Sequence, residues 1–375
     1  MMLPMIETDS PSLENPILRA KNGIYTRGGV PFAITLRYAD AAELPFDLPH
    51  MSGLTQLDIT GCGFSELPPL PHLTHLYADH NRLTHLPNTP KLEVAYLDGN
   101  AISSLPDDLS AWANVRSLSL YGNELGAIPD SLGDLTRLEH LSIGRNRLAD
   151  LPESLWRLTG LRSLNIAHNH LTHLSDGIGH LGALEMFDAA HNQLAVLPDG
   201  LMNLHGFSGF LYLGNNPLTD IAPGFFSALR GTRYLNLTDT ALGTLPETLG
   251  EMTDLRELRL YRANLIHLPD SLGQLSALQE LHLTDNALTH LPNNLGGLTA
   301  LHTLDLRNNH LMSIPDSLGR LPRLRQLDLR NNRLVAIPES LGGLPSLEKL
   351  DLRWNKLTLP AWVEDIRGRG GLVYS

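Results

Sequence analysis

The feature that most constrains this chain is a string, L-x-x-L-x-L-x-x-N-x-L-x-x-L-P, that returns at a nearly fixed interval along most of its length. It reads VRSLSLYGNELGAIP at 115–129, LEHLSIGRNRLADLP at 138–152, LQELHLTDNALTHLP at 278–292, LHTLDLRNNHLMSIP at 301–315 and LRQLDLRNNRLVAIP at 324–338. Fifteen units begin at residues 31, 54, 73, 92, 115, 138, 161, 184, 208, 232, 255, 278, 301, 324 and 347. Most steps are 23 residues; those after 54 and 73 are 19, and those after 184 and 208 are 24. A period of this size means stacked like units, so the length of 375 residues does not set a count of globular domains.

Each part of the string has a physical cause. The L-x-x-L-x-L stretch alternates as a short strand with one buried side does. Strands from successive units then stack in parallel about 4.8 Å apart. Position nine of the unit is Asn in eleven repeats: 81, 100, 123, 146, 169, 192, 216, 286, 309, 332 and 355. A buried turn leaves backbone N–H and C=O groups to satisfy, and the Asn amide can both donate and accept. The Leu-Pro that follows opens a return segment, D-S-L-G-x-L-x-x-L, in which short helical turns face their apolar residues inward. No unit buries its leucines alone, so stability comes from stacking and the ends need caps.

The periodic motif resembles the leucine-rich-repeat superfamily over about nine-tenths of the chain. The 23-residue L-P-x-x-L-G-x-L form is similar to the intracellular class of bacteria and of Ras-pathway scaffold proteins. The short repeats, LPPLPHLTHLYADHNRLTHLP and LPNTPKLEVAYLDGN, resemble the 20-residue type of bacterial secreted effectors. The resemblance implies an α/β repeat solenoid: a curved horseshoe with a parallel sheet on the concave face and short helical or 3-10 segments on the convex face. It also implies protein recognition. Some of those effectors carry a C-terminal ubiquitin-ligase domain with a catalytic cysteine; here no such domain follows, and the single cysteine, Cys62, lies inside the repeats.

The expected organisation is a flexible N-terminal tail and cap over 1–30, about fifteen repeats over 31–359, and a C-terminal cap over 360–375. The degenerate repeat from Pro31 reads as part of the N-terminal cap. The last segment, LTLPAWVEDIRGRGGLVYS, predicts a helix over 360–366, a Gly-rich turn and a final strand over 372–374, with Trp362 covering the terminal leucines, and it looks like a natural end.

Charge and composition narrow the function. The net charge is −12, which disfavours nucleic acid, since phosphate binding needs clustered Lys and Arg. The charge is uneven: residues 301–375 hold 11 Lys+Arg against 8 Asp+Glu, so an acidic body ends in a weakly basic segment. One cysteine allows no intrachain disulfide, and the N-terminal MMLPMIETDSPSLENPIL has no basic region followed by an apolar stretch. A reducing compartment, or export without a cleaved secretory signal, follows as the expectation. No apolar run is long enough to span a bilayer. The chain is expected to act as a monomer.

No G-x-S-x-G, H-E-x-x-H, P-loop or dinucleotide fingerprint occurs, so neither catalytic residues nor a cofactor are expected. Cys62 falls at the Asn position of its repeat, a place for a small buried polar group. His168 and His191 share a repeat position, with Asp188 expected nearby on the same face, but zinc needs three or four convergent ligands and no third one stands out. The repeated LDLR motif stacks Asp305, Asp328 and Asp351 in one column and Arg307, Arg330 and Arg353 in the next. These columns form either a docking strip or a cross-strand ion-pair network.

The residues between the leucines should face outward. Tyr77 and Tyr96 stack there, with Tyr121 further along the next repeat and Asp79 and Asp98 beside them. Tyr212, Tyr234 and Tyr261 follow with Arg259 and Arg262, and Gly144, Ala167, Ala190 and Gly214 lie between. Exposed Tyr and Arg are the material of binding hot spots. The expected partner-binding set is therefore Tyr77, Asp79, Tyr96, Asp98, Tyr121, Tyr212, Arg259, Tyr261 and Arg262. Three readings stay open: a protein-binding module using its concave face, a secreted effector or substrate-reading part of a ubiquitin-ligase effector, and a structural or carbohydrate-binding solenoid.

Overall fold

The computed structural model describes residues 5–7, 21–40 and 48–375. Most of the expected N-terminal tail, and the end of the first degenerate repeat, lie outside them. The chain forms two compact units, residues 1–171 and 172–375.

In the N-terminal unit, β1 (Met5–Glu7) runs parallel to β2 (Gly23–Arg27), which forms an antiparallel hairpin with β3 (Val30–Thr35). From β3 onward pairing is parallel, through β4 (Gln56–Asp58), β5 (His75–Tyr77), β6 (Val94–Tyr96), β7 (Ser117–Ser119), β8 (His140–Ser142) and β9 (Ser163–Asn165). The C-terminal unit holds β10 (Met186–Asp188), β11 (Phe210–Tyr212), β12 (Tyr234–Asn236), β13 (Glu257–Arg259), β14 (Glu280–His282), β15 (Thr303–Asp305), β16 (Gln326–Asp328) and β17 (Lys349–Asp351), all parallel. Helix α2 (Trp362–Gly368) then leads to β18 (Leu372–Tyr374), which pairs parallel with β17. Trp362 is buried and lies against Gly342.

From β4 to β17 each strand is three residues long, positions three to five of the unit. The leucines at positions one, four, six and eleven are almost entirely buried. Positions three, five and seven face away from that core and form three columns in strict register. The chain is turned by position eight, which has positive φ in every repeat: Tyr38, Gly61, His80, Gly99, Gly122, Arg145, His168, His191, Asn215, Asp239, Arg262, Asp285, Asn308, Asn331 and Trp354. Gly, Asn and Asp tolerate this left-handed region, which explains why they recur just before the Asn of position nine.

The Asn residues of position nine do what their chemistry allows. In Asn146, Nδ2 donates to the carbonyls of Leu120 (2.9 Å), Ile143 (3.1 Å) and Gly144 (3.0 Å), while Oδ1 accepts from the Leu125 N–H (3.0 Å). The Leu120 carbonyl also accepts from Asn123, so each such carbonyl serves the amides of two repeats. Cys62 takes the same place and its thiol donates to the Leu36 carbonyl at 2.8 Å. Thr240 donates only to Leu237, and Ala263 contributes no side-chain bond; the Asn286 carbonyl oxygen accepts from both the Ala263 and Leu265 N–H groups.

The return segments are 3-10 turns, each preceded in most repeats by an extended Pro, as at Pro129 before Asp130–Asp134. The acidic residue that opens a turn reaches the next repeat. The Glu247 carboxylate accepts from the N–H groups of Asp270 (3.1 Å) and Ser271 (2.8 Å), and these bonds hold it below the usual Glu range. The second long repeat, from 208, differs, whereas the first keeps the 3-10 return after Pro198. After β11 the return is an α-helix, α1 (Pro223–Ala228), whose Phe225 and Phe226 are both buried and meet edge to face at 5.3 Å. Gly209 immediately precedes β11, and an added Cβ there would stand 1.5 Å from the Glu185 carbonyl oxygen.

Candidate functional site

On the N-terminal unit the expected anchors separate. Tyr77 is 3% exposed, which corrects the reading of it as an outward anchor. It packs in one cluster with Tyr25 and Ala33 of the β2–β3 hairpin, and Phe32, Val94 and Tyr96 lie against that cluster. Position five faces outward in a bare stack of repeats, but here the hairpin supplies apolar side chains to cover it. Tyr96 stays half-buried, edge-on to Tyr77 with ring centroids 5.4 Å apart. Tyr121, at position seven, is half-buried beside Gly144, where a Cβ would come within 3.0 Å of its ring.

Asp79 and Asp98 lock consecutive turns. An Asp79 oxygen accepts from the Asp98 N–H at 2.8 Å, and Asp98 accepts from the Ser119 hydroxyl at 2.5 Å and the Tyr121 N–H at 2.9 Å. With His80, Tyr121, Arg145 and Arg147 they line a surface depression of roughly 710 Å³. Burial, with help from the neighbouring Asp98 and Asp58 charges, pushes the Asp79 carboxyl up to about 6, against lowering by the Asp98 N–H and His80. Because the folded value is raised, the contribution of this group is fully favourable below the unfolded value near 4 and is lost as pH rises through about 6. Asp79→Asn keeps the acceptor for the Asp98 N–H and removes the charge. It should leave stability at pH 3 nearly unchanged and raise it at pH 7.5 by on the order of 2 kcal/mol, as measured by urea unfolding. Equal stabilisation at both pH values would show that the carboxylate is not the cause.

On the C-terminal unit the expected residues do come together, with others that the sequence reading passed over. Tyr212 and Tyr234 have ring centroids 4.7 Å apart, and Phe210, 47% exposed, extends the group with its ring 6.2 Å from Tyr234. Tyr234 itself is buried. Burial first, and then the Glu257 charge, push its hydroxyl up to about 12 against the opposing pull of Arg259. The Arg259 guanidinium lies over the Tyr234 ring at 5.4 Å and pairs with Glu257 at 2.6 Å. Tyr261 sits 5.3 Å from the His282 ring. Phe210 and Tyr234 occupy position three, and Tyr212, Arg259 and His282 position five; a column-by-column reading of position three would have found Phe210.

Arg262 is not part of this face. It occupies the left-handed position eight, where it pairs with Asp239 and approaches Asp285 at 3.8 Å. Expected beside Tyr261 as part of the binding set, it is instead directed by the turn along the rim column. Ala190 and Gly214 of this unit are buried, and a Cβ at Gly214 would meet the Thr238 carbonyl oxygen at 2.8 Å. Gly144 and Ala167 are likewise buried in the N-terminal unit.

The Asp and Arg columns are chiefly bonded within their own strands. Arg330 pairs with Asp328 at 2.5 Å and crosses to Asp351 at 3.3 Å, Arg353 pairs with Asp351 at 2.7 Å, and Arg307 approaches Asp305 at 3.4 Å. Each Asp also accepts from the N–H two residues on, as Asp188, Asn165 and Asn236 do, so position five closes the turn as well. His168 and His191 belong to different units, each at the left-handed position of its repeat. No helix among the described residues is long and apolar enough to cross a membrane.

Comparison with known proteins agrees with this architecture. A leucine-rich-repeat family model matches residues 90–148, 136–194, 210–266, 253–311 and 299–357, together well over half the chain. A leucine-rich-repeat protein of Leptospira interrogans shares 28% identity at a TM-score of 0.87, with 92% of this chain and 90% of that one covered. An internalin of Listeria monocytogenes shares 21% identity at a TM-score of 0.66, over 92% of this chain and 86% of that one. The ectodomain of the Arabidopsis thaliana receptor kinase GASSHO1/SCHENGEN3 shares 26% identity at 0.70, over 94% of this chain and 50% of that one. No curated protein sequence matches significantly. Repeat spacing, left-handed turn, Asn ladder and family match lead to one conclusion: the chain belongs to the leucine-rich-repeat family.

Proposed function

We propose that this chain is a non-enzymatic protein-binding module whose partner docks on the strand face of the C-terminal unit. One observation carries the reading: Phe210, Tyr212, Arg259 and Tyr261 stand partly exposed in adjacent columns over β11–β13, around the buried Tyr234. Partly exposed aromatic rings with an Arg stacked among them are what binding hot spots are built from. They sit on strands already held in register, so little conformational entropy is lost on docking. The Arabidopsis ectodomain, solved in complex with Casparian strip integrity factor 2, supports binding as a use of this scaffold.

The test is a photo-crosslinking residue placed at Phe210 and, as a control, at the exposed Met312. A discrete protein should be captured from position 210 and not from 312. The double change Phe210→Ala/Tyr212→Ala should then weaken that partner's binding by roughly thirtyfold or more, the loss of about 2 kcal/mol typical of a hot spot. The same products from both positions would count against a site on this face.

A further inference from the structure

We propose that Glu257, Glu280 and His282 form a binding site for a divalent transition metal of the zinc class, with Arg259 as an internal competitor. The parallel register sets Glu257 opposite Glu280 and Arg259 opposite His282. Glu280 and His282 are two apart on one strand and so share a face. One ligand atom from each of the three residues lies within 4.8 Å of the other two. His282 Nε2 is 3.0 Å from a Glu280 oxygen and 4.0 Å from a Glu257 oxygen. Donors around a tetrahedral zinc, with bonds of about 2.0–2.2 Å, stand roughly 3.3–3.6 Å apart, so the two separations bracket the value required. Small side-chain rotations suffice to converge on one ion.

The ligand chemistry selects the metal. An imidazole nitrogen with two carboxylates suits zinc, cobalt or nickel, whereas calcium and magnesium take oxygen ligands. Access and support are both present. The side chains of Glu257 and Glu280 are 23% and 37% exposed, that of His282 is 12% exposed, and the Tyr261 ring beside the imidazole limits its rotation. Coordination needs the Nε2 lone pair, so the Nε2 proton must leave, either to solvent from the imidazolium or to Nδ1 in the neutral ring. Three protein ligands leave at least one coordination position for water or another donor. Arg259 opposes the ion, because its guanidinium holds the Glu257 carboxylate at 2.6 Å. The site stands on these residues alone and does not depend on the partner proposed above.

The test is titration of the full chain, free of any affinity tag, with Co²⁺ followed by visible d–d absorption and with Zn²⁺ by calorimetry. Wild type should bind one saturable equivalent with the absorption of a low-coordinate Co²⁺. His282→Ala should abolish that equivalent, and the near-isosteric Glu280→Gln should weaken it tenfold or more. His290→Ala, which removes one ring of the exposed His267–His290 stack, should leave it intact. Arg259→Met should tighten it by roughly twofold to fivefold, the worth of a partly exposed ion pair. Absence of a saturable equivalent in wild type, or an equivalent that survives in folded His282→Ala and Glu280→Gln, would overturn the site. Weaker binding by Arg259→Met would overturn the competition.

Discussion

Gly209→Ala should destabilise the C-terminal unit by about 3 kcal/mol or more, a loss at the upper end for a single added methyl. The new Cβ would stand 1.5 Å from the Glu185 carbonyl oxygen and 2.6 Å from its carbon. Both atoms are backbone, and that oxygen also accepts the Phe210 N–H at 3.0 Å, so it cannot move aside without breaking the pairing of β10 and β11. Relief therefore requires shifting a strand that carries Phe210 and Tyr212. Gly182→Ala is the matched control, because its Cβ would meet nothing within 4 Å. Urea unfolding of both variants measures the difference; a Gly209→Ala midpoint close to that of Gly182→Ala would mean the backbones separate easily. If the aromatic patch is a binding face, Gly209→Ala should also weaken binding without touching any side chain in it.

Asn146→Ala should cost the N-terminal unit about 2–4 kcal/mol. The change removes three donated bonds and orphans the Leu125 N–H, which is buried. The carbonyls suffer less, because Leu120 still accepts from Asn123 and Ile143 from Asn169. The dominant penalty is thus the unsatisfied N–H and the space left behind. Asn146→Asp separates the two halves of the role. It keeps an acceptor for Leu125 but sets a buried carboxylate against the Leu120 and Ile143 carbonyls, and so should be at least as damaging at pH 7. A destabilisation by Asp much smaller than by Ala would show that accepting from Leu125 outweighs everything else in the ladder. The repeat containing Ala263 has no Asn and still forms, with the Asn286 oxygen serving two N–H groups, so the ladder tolerates a gap when a neighbour covers it.

Much of the fold was legible from residue order because it is local and repeated. The spacing of Leu marks the strands, the Asn at position nine marks the buried turn, and Pro followed by Asp or Glu marks the return. Each sign reports a contact made within one repeat or with the next, at a separation the period itself supplies. The strand expected over 372–374 follows the same logic, and β18 adds to β17 there. The 24-residue repeat from 208 announces an irregularity, since it lacks Leu-Pro, but not its form: α1 with two buried Phe rings, and a backbone contact closed to any side chain at Gly209.

The candidate site was only partly legible, and the reason is physical. Sequence assigns a residue to a column, but exposure in that column depends on what lies above it. Tyr77 and Tyr96 share position five; one is buried with the β2–β3 hairpin residues and the other stays half-buried at the edge of that cluster. Arg262 is one residue from Tyr261, yet the left-handed turn between the columns sends it to the rim to meet Asp239. His282, Glu280 and Glu257 carry no motif, because their convergence combines a two-residue step along one strand with a register of 23 residues across to the next. The residue order by itself determined the period, the buried leucines and the turn chemistry, since these rest on short-range sterics and on backbone groups that must be paired. Only the tertiary structure decided which outward residues remain accessible and which charged groups converge, since burial and electrostatics depend on distances between repeats.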